Sequence, residues 1–125
     1  MQYLLLIYGD EQARNEQWER LSEAEQKQMM DQWWAYTKEL EDAGVHVAGE
    51  ALHPTETAKT VRVRDGEQLV TDGPFAETKE QLGGYYVVDV DSEEEALRWA
   101  AKVPSAPYGS VEVRQVMVFT AEVGS

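Results

Sequence analysis

The chain has no cysteine. That excludes disulfides, thiol nucleophiles and thiolate metal sites. Histidine is nearly as scarce, with two residues in 125, His46 and His53. They lie an odd number of positions apart, so one continuous strand would point them to opposite faces. Without cysteine to complete a ligand set, a structural zinc site is not expected. No Gly-rich phosphate loop, serine nucleophile elbow or HExxH helix is present, and no metal or cofactor is expected. No apolar run approaches the roughly 20 residues that span a bilayer. The opening Met1–Tyr8 lacks the basic start of a signal peptide and is too short for its apolar region and cleavage site. The expected compartment is the cytoplasm.

Basic side chains are also few: 11 Lys and Arg face 24 Asp and Glu, a net charge of −13. Nucleic-acid binding needs a basic face for the phosphates, so this balance argues against it. Anionic membrane surfaces are disfavoured for the same reason. The surplus charge serves solubility, or it offers an acidic face to a basic partner.

What is present describes one soluble domain. A length of 125 residues suits one domain and can bury a core without staples. Tyr3–Tyr8 is almost wholly apolar and reads as a strand buried on both faces. Glu11–Arg20 is polar and carries no periodic signal, with Trp18 its only large apolar group. Ser22 and Glu25 form a capping box that starts a helix. Met29, Trp33, Tyr36 and Leu40 then trace one face of it, widened by Met30, Trp34 and Thr37. Gly44 closes that helix.

Val45–Leu52 reads as a strand. Thr60–Arg64 alternates cleanly, Asp65-Gly66 is a two-residue hairpin turn, and Glu67–Val70 returns. Tyr85–Val90 is a further strand. Ser92 and Glu95 start a short helix through Ala101, and Val111 to about Phe119 forms the last strand. The order is β-α-β, hairpin, β-α-β, which predicts an α+β ferredoxin-like sandwich with two helices on one face of a mostly antiparallel sheet. Its other face would be bare and apolar, which marks an interface. A two-fold homodimer whose sheets enclose a cavity is the economical solution.

The richest segment for function is Thr71–Gly84. It packs turn formers, an aromatic and four ionisable groups into a connection between strands, and such groups on a loop held by a scaffold are typical of sites. Asp72 is either a ligand of its own turn or a general base. Gly73 permits unusual backbone angles or close approach to a ligand, and Pro74 stiffens the turn. Phe75 is a core plug or an aromatic wall. Glu77, Lys79 and Glu80 form a solvated ion cluster, or orienting charges in a cavity. Gly83-Gly84 is either the hinge of a lid or a tight entry into the next strand. Trp34 is core, or it lines a ligand cleft. His53 lies at a strand end near the expected cleft rim and is the histidine best placed for proton transfer. Arg62 and Arg64 share one strand face.

These residues also carry a resemblance. Tyr3–Asp10, Leu40–Gly44, Thr60–Gly66, Val70–Gly84 and Val111–Arg114 together are similar to YCII-related proteins of the subgroup named for Asp-Gly-Pro-Phe, here Asp72–Phe75. The resemblance covers nearly the whole chain. It implies a dimeric α+β barrel of ferredoxin-like protomers with no settled activity, and members often encoded beside sigma factors of the extracytoplasmic type. Some YCII relatives have been proposed to be enzymes through a His/Asp pair in the cleft, with the histidine on the first long helix. Ser22–Ala43 contains no histidine, so only Asp72 matches that pair.

Two function classes stay open. One is a small-molecule site in the barrel cleft, run by Asp72 and His53 if it is an enzyme, with Gly73, Pro74, Phe75, Glu77, Lys79 and Trp34 as ligand contacts. The other is a non-catalytic interaction module, linked to a sigma factor. Alternatively, the motif only clamps the hairpin in place.

Overall fold

The computed structural model describes residues 1–119. Strand β1 (Gln2–Gly9) alternates rather than being buried throughout. Tyr3, Leu5 and Ile7 are buried, while Leu4, Leu6 and Tyr8 are half-buried. The unbroken apolar run suggests two covered faces, but only one is covered within the chain.

The polar stretch Glu11–Arg20 is helix α1, so the fold has three helices rather than two. The Asp10 carboxylate caps it by accepting the Ala13 N–H at 3.0 Å. It buries no residue. Caps and ties to other segments therefore hold it, and a search for an apolar stripe cannot find it. Helix α2 (Glu23–Asp42) starts at the expected capping box. Ser22 Oγ accepts the Glu25 N–H at 3.1 Å, and the Glu25 carboxylate accepts the Ser22 N–H at 2.9 Å. That backbone bond holds the Glu25 carboxyl below its ordinary value. Tyr36 and Leu40 are buried, and Met29 and Trp33 on the same stripe are half-buried. Helix α3 (Glu93–Ala101) is capped by Ser92 and buries Ala96 and Ala100.

Strands β2 (His46–Ala51), β5 (Gln81–Asp89) and β6 (Ser110–Gln115) join β1 in one sheet. Its order is β2-β5-β1-β6, with every neighbouring pair antiparallel. The last strand ends at Gln115 rather than near Phe119 because β1 runs out. Tyr3 pairs with Gln115, and the Gln2 carbonyl accepts the Val116 N–H at 2.8 Å.

The core lies between one sheet face and helices α2 and α3. Leu5, Leu40, Val88 and Val103 are its largest fully buried side chains. Tyr36 joins the layers: its ring meets Tyr86 edge-on at 5.3 Å and Trp99 at 6.3 Å. Its hydroxyl donates to the Trp99 carbonyl at 2.8 Å. Burial pushes that hydroxyl well above the usual phenol range, and the neighbouring Tyr86 and Glu39 add to the effect. On the opposite face the register sets Leu4 beside Val87 and Leu6 beside Tyr85.

Strands β3 (Lys59–Arg64) and β4 (Glu67–Asp72) form a separate two-stranded sheet. Asp65 and Gly66 both have positive φ, 53° and 78°, as a type I′ hairpin turn requires. This arm leaves Val61, Val63, Leu69 and Val70 exposed.

Leu5→Ala is expected to cost about 2–5 kcal/mol by urea denaturation, since it empties a fully buried site. Folding raises the Tyr36 pKa, so above about pH 10 the unfolded chain loses its proton first. Stability therefore falls as pH rises through that range. The fall should be shallower in Tyr36→Phe, measured by denaturant midpoints across alkaline pH.

Candidate functional site

Strand β4 runs through Asp72 and β5 begins at Gln81, so the loop proper is 73–80. It is clamped where it leaves the arm. Gly73 has φ +95°, a conformation in which a side chain is strained. Its N–H donates to the Ala58 carbonyl at 2.7 Å, and Thr60 Oγ1 donates to its carbonyl at 2.8 Å. The Lys59 ammonium binds the Asp72 carboxylate across the hairpin. Both side chains are exposed, so this pair adds little stability.

The far end of the loop is tied as well. Thr78 Oγ1 donates to the Glu80 carbonyl, and Gln81 Nε2 donates to the Thr78 carbonyl. Ser110 Oγ donates to Glu80 Oε1 at 2.8 Å. Between the two ties, Gly73, Pro74 and Glu77 wall an open depression of about 350 Å³, faced by Thr55 and Glu56, with Gln81 also lining it.

Thr55 and Glu56 also wall a second depression of about 290 Å³ against α1, which contributes Glu11, Glu16 and Glu19. Glu11 joins the two regions. Its carboxylate accepts the Thr55 N–H at 3.0 Å and the Thr55 hydroxyl at 2.6 Å. Its own N–H donates to Gln81 Oε1 at 3.0 Å. Three segments distant in sequence thus meet at Glu11. The N-cap signal at Asp10 could have placed Glu11 on a helix, but nothing local points to Thr55.

Of the residues singled out from sequence, Gly73, Pro74 and Glu77 come together in the depression. Phe75 is 80% exposed, so it is not a core plug, and Lys79 is exposed. Trp34 is 68% exposed, away from the Tyr36/Leu40 stripe. His53 is exposed just beyond β2. The Asp72 carboxylate is engaged by Lys59 rather than by His53. Gly83 and Gly84 lie inside β5 rather than at a hinge. The Gly83 carbonyl accepts the Leu52 N–H at 2.9 Å, and a Cβ on Gly84 would stand 2.8 Å from the Glu50 carbonyl oxygen. Gly84 thus allows two strands to approach closely, while a Cβ on Gly83 would stand 2.9 Å from the Arg14 guanidinium. Among the described residues, no cluster of three or more His, Asp or Glu is placed to hold a metal ion. Among them, too, no helix is long and apolar enough to cross a membrane.

Residues 1–120 match the YCII-related domain. The chain is also 39% identical over 121 residues to an uncharacterized protein of Rhizobium meliloti (strain 1021), covering 95% of this chain and 94% of that one. The chain belongs to the YCII-related family.

Glu11→Ala should release the segment at Thr55. Hydrogen exchange of the Thr55 amide is expected to speed up by about tenfold or more, with the β1 amides unchanged. Unchanged protection at Thr55 would mean that Glu11 does not hold this wall.

Proposed function

We propose that the chain is a small-molecule-binding protein of the Asp-Gly-Pro-Phe subgroup, its site being the depression walled by Gly73, Pro74 and Glu77. That depression carries the reading, because the most distinctive segment of the sequence forms one side of it. Its polar lining comes from Thr55, Thr78 and Gln81, with carboxylates at Glu56 and Glu77. Ionised carboxylates only accept hydrogen bonds, so the site suits a ligand rich in donors, such as an amine or a polyol.

The strand order and the one-sided helix layer support a ferredoxin-like protomer of a dimeric α+β barrel. In that dimer Asp72 and His53 remain the candidate proton carriers, with Lys79 as an orienting charge. A cytoplasmic location fits this reading. The net charge of −13 favours a second reading, a non-catalytic module that docks a basic protein such as a sigma factor. Failure to capture any such partner at low salt would count against it.

A thermal-shift screen against amines, polyols and divalent cations tests the first reading. A ligand at 100 times its Kd stabilises by about 2.7 kcal/mol. At least one amine or polyol should raise Tm, and Glu77→Ala should abolish the shift while melting like the parent. If no compound of these classes shifts Tm, the binding reading fails.

A further inference from the structure

Helix α1 is held more by polar ties than by packing. It buries no residue, and Trp18, its one large apolar side chain, is 36% exposed. A helix of ten residues is too short to persist alone in water. Most of its ties lie at its start. The Glu11 carboxylate accepts the Thr55 N–H and hydroxyl, and the Glu11 N–H donates to Gln81 Oε1. The Arg14 guanidinium lies against Gly83, in the space that a Cβ there would fill. At the far end Gln26 Nε2 donates to the Trp18 carbonyl at 2.9 Å. The flanking elements are built without α1. Strand β1 is paired on both edges, and α2 starts at its own capping box.

The same ties reach the candidate site. Thr55, Thr78 and Gln81 line the depression beside Gly73 and Pro74. The Gln81 side-chain amide spans from the Glu11 N–H to the Thr78 carbonyl. Each of these three polar wall residues is thus fixed, directly or through Gln81, by the first residue of α1. The Gly73 end of the wall is fixed separately, through Ala58 and Thr60.

We infer, resting on the reading of that depression as the binding site, that α1 is a strap that regulates it. The helix docks and undocks as one unit with the turn Thr55–Thr57, and the depression keeps its shape only while the strap is docked. Undocking and unwinding are one event, because the helix does not persist alone. Order–disorder of a single segment is a route by which proteins switch sites. The coupling is reciprocal: a ligand that needs the docked wall tightens α1, and anything that draws α1 away weakens that ligand.

Native-state hydrogen exchange on the full chain tests this with no ligand present. The α1 amides and those of Thr55 and Thr57 should exchange through one shared opening, well before the β1 and β5 amides. Gln17 is exposed and takes part in none of the ties. Gln17→Gly lowers helix propensity there and should speed the α1 and Thr55 amides alike, by about threefold. Gly83→Ala displaces Arg14 and should speed the same set, while the Leu52 amide, bonded to the Gly83 carbonyl, keeps its rate. If α1 exchanges only as slowly as β1, or shows no protection at all, the strap is overturned. Faster α1 exchange in Gln17→Gly with an unchanged Thr55 amide would overturn its link to the site. Failure of the binding reading shows instead in the thermal-shift screen, which does not read α1.

Discussion

A four-stranded sheet has two faces, and this chain covers one of them. Helices α2 and α3 both bring their apolar residues to the face of Tyr3, Leu5 and Ile7. Tyr36 ties the layers through its contacts with Tyr86 and Trp99. The packing that makes this face dry leaves Leu4, Leu6 and Tyr8 only partly covered. Helix α1 does not repair the imbalance, since it buries nothing. The uncovered face follows from that unequal division.

Much of the scaffold was legible because its signals are local. Ser22/Glu25 and Ser92/Glu95 mark helix starts by chemistry acting over three residues, and both caps form. Asp65-Gly66 marks a turn because few residue pairs tolerate two positive φ values. Helix α1 was invisible for the opposite reason. It is held by the Asp10 cap and by the bonds of Glu11 to Thr55 and Gln81, which lie far away in sequence. The last strand was read too long because its limit is set by the start of β1, not by its own residues.

The candidate site divides in the same way. Gly73, Pro74 and Glu77 could be picked out because turn formers and charges crowd one segment. Their opposing wall could not, because Thr55 and Glu56 look like ordinary loop residues until Glu11 fixes Thr55 in place. Asp72 reads as a turn residue but is the last residue of β4, and its partner is Lys59 across the hairpin. Spacing along the chain cannot reveal that pairing until the hairpin register is known. What the chain offers is a polar, carboxylate-bearing depression rather than an assembled acid–base pair.

The central place of β1 affects how the protein is made. Its neighbours are residues 81–89 and 110–115, so it finds its partners only across most of the chain. During translation Leu4, Leu5, Leu6 and Ile7 wait unpaired while the local β3–β4 hairpin can already close. Long-range pairing of this kind slows folding, and apolar strands that wait for it are prone to aggregate. The surplus of acidic side chains, spread along the emerging chain, would keep such nascent strands apart.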